Sequence, residues 1–387
     1  MSETMMAVVT YGPKDYRVEE VPVPDPGPGE MLIEVGAIGI CASDMKCWLG
    51  GPLFWGDSPQ RGEVAQSAGR GHAPESGEVA RSAGGGEGGK SGYVEPPCIA
   101  GHEYAGRIVA LGEGASERHN VAVDDRVVAE QIVPCGECRF CRNDQYWMCQ
   151  VHNIFGFKRH LNGGMAKYNL FPAKSLVHQV PASLSDGQAA YIEPMACAWH
   201  AVDRGEIKSG DTVVIGGVGN IGLCMLQIAK LSNPGRLIAL DRKQYRLDLA
   251  KQLGADVTID VAQEDAVQKV RDLTDGYGCD VYIEASGNAG AINPGLQMIR
   301  KLGTFVEFSV LNEPSSINWT IIGDSKELNI HGSHLGPFCY PKVIDALASG
   351  AVDVNPLLAD AYPLTKFDEA MQAALSGGVL KNLIVPV

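Results

Sequence analysis

The stretch from Thr212 to Asp241 constrains the fold more than any other part of the chain. An apolar run, Thr212-Val-Val-Ile215, meets a glycine turn, Gly217-Val-Gly219-Asn220-Ile221-Gly222. A helix-like run, Leu223-Cys-Met-Leu-Gln-Ile-Ala, then leads to a second apolar run, Leu237-Ile-Ala-Leu-Asp241. A bare Gly-x-Gly-x-x-Gly carries little weight. Between a strand and a helix, however, its glycines permit the tight turn and the close approach of a pyrophosphate to the helix N-terminus. Asp241 ends the next strand about twenty residues on, where a carboxylate accepts ribose hydroxyls and repels a 2′-phosphate. That pattern favours NAD over NADP, although Arg242 and Arg246 could pair with a phosphate.

The alternation continues through Val281-Tyr-Ile-Glu284 and Thr304-Phe-Val-Glu-Phe308, and such repetition builds a doubly wound parallel sheet, hence an α/β fold. From Met6 to about Val180 the chain instead reads as short β-rich segments broken by Gly and Pro, the pattern of a barrel-like domain. At 387 residues the chain suits two domains. We place them at residues 1–181 and 182–327, with residues 328–387 returning to the first. One segment, residues 57–92, fits neither pattern. It is rich in Gly, Ser, Ala and Glu and nearly repeats itself, Gly62-Glu-Val-Ala-Gln-Ser-Ala-Gly69 against Gly77-Glu-Val-Ala-Arg-Ser-Ala-Gly84. Its low apolar content predicts a flexible, solvent-exposed insertion.

The formal charge of −14 and the lack of a Lys/Arg-rich block argue against a nucleic-acid partner. No apolar run reaches the roughly 18 residues of a membrane span, and no secretory signal is read at the start, so the expected address is the cytoplasm. Eleven cysteines are present, and in a reducing compartment a tight cluster points to metal. Cys135, Cys138, Cys141 and Cys149 can wrap a tetrahedral zinc ion with no open position, a structural site. Cys41, His102, Glu103 and Glu193 are further candidate ligands that spacing alone does not unite.

In order along the chain, Gly39-Ile-Cys41-Ala-Ser43-Asp44, Gly101-His-Glu103, the four-cysteine lobe, Glu193-Pro194 and the glycine turn resemble the zinc-dependent medium-chain dehydrogenases. The resemblance covers nearly everything outside the insertion. It implies a GroES-like β-barrel catalytic domain and a doubly wound parallel-sheet (Rossmann) nucleotide-binding domain. It also implies two zinc ions per chain, the catalytic one held by Cys41 and His102 with Glu103 or Glu193, between which the sequence does not choose. By the same resemblance Ser43 bonds the substrate oxygen and passes its proton outward, and Asp44 orients His102. Lys46 stands where some relatives carry a His that completes the relay. Ser286 in Glu284-Ala-Ser-Gly287, and Ser309 and Val310 in Phe308-Ser-Val310, match loops that face the nicotinamide.

Finer likeness lies in Phe54-Trp-Gly-Asp57, Glu130-Gln-Ile-Val-Pro-Cys135, Phe155-Gly-Phe-Lys-Arg159, Asp324-Ser-Lys-Glu-Leu328 and Gly332-Ser-His-Leu-Gly-Pro337. These resemble the erythritol/L-threitol dehydrogenases of the polyol branch. They imply oxidation of a small polyol to a ketone, with Trp55, Lys158 and His334 as pocket candidates and a homo-oligomer, tetramer or dimer, as the assembly. Oxidation of another polyol, a diol or L-threonine would use the same groups. A non-catalytic zinc- and nucleotide-binding redox sensor is the alternative of another class, and the intact ligand set argues against it.

Overall fold

The computed structural model describes residues 3–56, 92–311 and 313–386; residues 57–91 of the expected flexible insertion lie outside them. Its two ends meet, because Gly92 packs directly on the backbone of Phe54 and Trp55.

Six parallel strands form the nucleotide-binding sheet, in the spatial order Val257–Asp260, Arg236–Asp241, Thr212–Gly216, Cys279–Glu284, Ile299–Glu307, Asn329–Gly332. Successive residues of a strand point to opposite faces, which explains the near-continuous apolar runs. Val213 and Ile215 enter a core with Leu223, Met225 and Leu226 on one face, while Val214 joins Ile238, Tyr282 and Phe305 on the other. Burial on both sides is the signature of a parallel sheet covered by crossover helices.

The second body is built from a seven-stranded sheet in which Met31–Gly39 pairs with Glu103–Leu111, Tyr168–Phe171 and Lys381–Val385. A three-stranded sheet, Asp15–Pro22, Thr4–Gly12 and Cys98–Ile99, packs with it around Ile33, Ile38, Ile108, Met165 and Phe171. This is the expected barrel-like domain, and the fold as a whole is α/β.

The tail corrects the expected boundary at residue 328. Asn329–Gly332 is the sixth strand of the nucleotide sheet, and the helix Tyr340–Ser349 buries Tyr340, Val343 and Leu347 in that domain's core. The chain rejoins the barrel only with Leu358–Pro363 and Lys381–Val385, which pair in parallel. Among the described residues, no helix is long and apolar enough to cross a membrane.

Candidate active site and metal centres

The backbone explains the spacing of Cys41, Ser43 and Asp44. Cys41 caps the helix Ala42–Trp48, and the Asp44 carboxylate accepts the Cys41 N–H at 2.9 Å, closing the first turn. That closure presents the Cys41 thiol, the Ser43 hydroxyl and a buried Asp44 together. His102 and Glu103 come from the start of the neighbouring strand Glu103–Leu111. As a result Cys41, His102 and Glu103 each place a ligand atom within 4.8 Å of the others.

The surrounding contacts fit a cation. His102 Nδ1 faces Asp44 Oδ1 at 3.5 Å, which leaves Nε2 on the side of Ser43 Oγ, 3.4 Å away. Glu103 Oε2 accepts from Lys381 Nζ at 2.5 Å, while Glu103 Oε1 is buried with no hydrogen-bond partner. Burial, and after it the Glu103 carboxylate, push the Cys41 thiol up. Burial opposes charge on His102, but Asp44 and Cys41 overcome it and raise its pKa. A soft sulfur, an imidazole and an orphaned carboxylate oxygen in one buried spot match zinc. Glu193 sits outside this convergence: its Oε1 accepts from Gln131 Nε2 at 2.5 Å and from the Cys197 thiol at 3.3 Å. Burial foremost pushes it up to about 7.

The four-cysteine lobe is assembled by backbone amides. Cys135 Sγ receives the N–H of Glu137 and Cys138 at 3.4 and 3.3 Å, and Cys138 Sγ that of Cys141 and Gln150 at 3.5 Å. Cys149 Sγ receives the Cys135 N–H at 3.4 Å. The amides of Cys141 and Gln150, that of Cys141 foremost, bring the Cys138 thiol down to about 6. All four sulfurs lie within 4.8 Å of one another and none forms a disulfide, so the set fits a closed tetrahedral zinc site.

One cavity of about 1180 Å³ runs from Cys41, Ser43, His102, Glu103 and Glu193 to Asp241. Gly217, Gly219, Asn220, Ile221, Arg242, Arg246, Ser286, Ser309 and Val310 line it as well. Gly217 has φ of +91°, and a Cβ there would stand 2.6 Å from the Ser286 Cα. Gly222 lies behind the wall, where a Cβ would meet the Gly217 carbonyl at 1.9 Å. Asp241 Oδ1 accepts the N–H of Arg242 and Lys243 at 2.8 and 3.0 Å, and Oδ2 faces Arg246 Nη1 at 3.5 Å. Glu284, fully buried, holds the turn that follows its strand by accepting from Ser286 N at 2.7 Å and Gly287 N at 3.2 Å.

Of the expected pocket groups, His334 lines the cavity, whereas Trp55 and Lys158 do not. Trp55 is buried with its Nε1 donating to Cys47 O at 2.7 Å. Lys158 is turned to Glu95 at 3.0 Å and lies over the Tyr93 ring. Sequence reasoning missed Lys381, the counter-ion of Glu103; its one signal is a lysine inside an apolar final strand. It also missed His152, whose Nε2 lies 2.9 Å from His334 Nε2, and Lys46 Nζ bonding Val310 O across the cleft at 2.6 Å.

Comparison with known proteins agrees with this geometry. Residues 27–182 match the alcohol dehydrogenase GroES-like domain and residues 220–349 the zinc-binding dehydrogenase domain. The chain belongs to the zinc-dependent medium-chain dehydrogenases, in their polyol branch, and is an NAD(P)-linked oxidoreductase. It is 44% identical to the erythritol/L-threitol dehydrogenase of Mycolicibacterium smegmatis, over 97% of this chain and 95% of that one. It is 31% identical to the sorbitol dehydrogenase of Bacillus subtilis, over 99% and 98%. A zinc-binding dehydrogenase from Sinorhizobium meliloti, solved bound to NADP, superposes with a TM-score of 0.83 at 27% identity, covering all of both chains.

Proposed function

We infer that the protein uses NAD to oxidise a secondary alcohol of a four-carbon polyol, erythritol or L-threitol, to erythrulose. The observation that carries the reading is the single cavity in which Cys41, His102 and Glu103 converge at one end and Asp241 stands at the other. Substrate and dinucleotide can therefore occupy one enclosure. The relative at 44% identity supports the choice of polyol.

In this reading Cys41, His102 and Glu103 hold the catalytic zinc, and Cys135, Cys138, Cys141 and Cys149 hold a second. When bound, the first would supply the Lewis acidity that makes a substrate hydroxyl acidic near neutral pH, and the dinucleotide would supply the hydride acceptor. Ser43 Oγ, beside His102 Nε2 on the cavity wall, takes the hydroxyl proton and passes it outward. Asp44 fixes the ring of His102. Glu193, held by Gln131 and Cys197, is the carboxylate in reserve beside the ligand set. Lys46 does not finish the relay, because an ammonium has no acceptor capacity; its bond to Val310 O fastens the barrel to the loop beside the nicotinamide. Gly217, Gly219, Asn220, Ile221 and Gly222 receive the pyrophosphate, with Ser286, Ser309 and Val310 at the nicotinamide end. Asp241 accepts the ribose hydroxyls and selects NAD, with Arg242 and Arg246 beside it. The reading includes a cytoplasmic homo-oligomer, for which the exposed edge strand Asn329–Gly332 offers unpaired surface.

Initial rates on erythritol, L- and D-threitol, xylitol, sorbitol, 2,3-butanediol and L-threonine test it. The highest kcat/KM is expected on a tetritol; a higher value on sorbitol or L-threonine would overturn the substrate and keep the chemistry.

A further inference from the structure

Two histidines meet over the cavity from opposite sides of the cleft. His152 follows the cysteine lobe and precedes the short strand Asn153–Ile154, which among the described residues pairs only with Ile132–Val133, while His334 follows the nucleotide-sheet strand Asn329–Gly332. Their rings stack at 5.1 Å with the Nε2 atoms 2.9 Å apart. Such a contact requires one ring to donate and the other to accept. Neither Nδ1 has a hydrogen-bond partner among the described residues. Beside them Ser333 Oγ is buried, also without a partner, on the wall of the same cavity.

The pair is linked to the zinc ligands by a file of aromatic rings. His102 packs on Phe157 at 5.4 Å, Phe157 on Tyr93 at 5.4 Å, and Tyr93 on His152 at 5.4 Å. Leu53, Phe54, Ile154 and Leu335 complete this end of the cavity with apolar surface. A pocket of this kind fixes its ligand through the few polar groups it does present. Imidazoles and a serine hydroxyl give both donors and acceptors with no net charge demanded of the ligand, the complement of a neutral chain of hydroxyls rather than of an amino acid or a phosphate ester.

We propose that His152 and His334, with Ser333 beside them, form the specificity site that binds the polyol hydroxyls not undergoing oxidation. The inference rests on the polyol reading above and adds the residues that distinguish a polyol from a plain secondary alcohol. His152 makes the contact from the segment after the cysteine lobe and His334 from the nucleotide-binding domain, so the site is complete only when the two walls of the cleft are together.

The test compares kcat/KM for L-threitol and for 2-butanol, which shares the secondary alcohol but lacks the further hydroxyls, in zinc-loaded wild type, His334→Phe and His152→Phe. Phenylalanine keeps the ring and the stacking and removes the nitrogens. The ratio of threitol to 2-butanol should fall about tenfold or more, the loss expected when a hydroxyl is left without its partner, and most of it should appear in KM for threitol. Ser333→Ala should lower the same ratio and covers the case in which a histidine variant does not fold. If wild type prefers threitol and the variants keep that preference, or lose both substrates in parallel, the specificity site is overturned while the polyol reading stands. If wild type already prefers 2-butanol, the polyol reading itself falls and the site falls with it.

Discussion

Lys381 is 3% exposed and Glu103 1%, and buried charges of that kind persist only as partners. Removing one leaves the other uncompensated, so Lys381→Met should cost the zinc-free protein about 3–5 kcal/mol in denaturant unfolding. Cys41→Ser should behave differently: turnover falls at least about a thousandfold and metal analysis loses one zinc, while Tm hardly moves, because Cys41 packs at the cavity rather than in the core. The residues legible in the sequence were those whose roles are written in short spacing. Cys41, Ser43 and Asp44 share one helix turn, and His102 and Glu103 are adjacent. Lys381 and His152 were not legible, since each meets its partner across a separation that only the folded chain closes. Trp55 and Lys158 were misassigned for a related reason. A shared motif does not set the direction of a side chain, and both found hydrogen-bond partners away from the cavity.

At the scale of elements, the strands Cys279–Glu284 and Ile299–Glu307 pair from Val281 opposite Thr304 onwards and end on paired carboxylates, Glu284 beside Glu307. Each then holds the following turn, Glu307 by accepting Ser309 N–H at 2.8 Å. Burial, and next the Glu284 charge, push Glu307 up to about 7 from an ordinary 4.5. The folded protein thus keeps a proton there that the unfolded chain has released. Stability from this group is complete below about pH 4.5 and is lost as pH rises through 7. Glu307→Gln keeps an oxygen for Ser309, so Tm should match wild type at pH 4.5 and exceed it by a few degrees at pH 8. In the lobe, Cys138 has amide donors aimed at its sulfur, and Cys138→Ser should lower Tm and zinc content before it lowers kcat. The parallel strands were legible because burial on both faces demands apolar runs. A short strand after Leu328 was legible too but its sheet was not, because Asn-Ile-His-Gly at a sheet edge carries no apolar run that marks its partner, and the tail was assigned to the barrel in consequence.

Across the whole molecule, the two domains meet at several polar points, among them the Tyr340 hydroxyl donating to Gln131 Oε1 at 3.0 Å and Lys243 Nζ donating to Gly377 O at 2.6 Å. Lys46 reaches Val310 O, and Tyr146 in the cysteine lobe accepts the Phe338 N–H at 3.0 Å while donating to Glu130 at 2.8 Å. Lys46→Met should therefore raise KM for NAD several-fold with less effect on kcat, as expected of a group that fastens the cofactor loop rather than one that carries the proton. Two domains with a cofactor between them could be read from the change in hydrophobic pattern. The cleft that joins Cys41, His102 and Glu103 to Asp241 could not, because no local signal encodes how two cores face each other. On the proposed function, the convergence of Cys41, His102 and Glu103 makes polyol oxidation by NAD in this cavity depend on zinc. The most direct test follows NAD reduction with L-threitol before chelation, after chelation and after zinc is restored. Loss of the rate on chelation and its recovery with zinc is the predicted result, and an undiminished rate in protein shown by metal analysis to hold no zinc would contradict it.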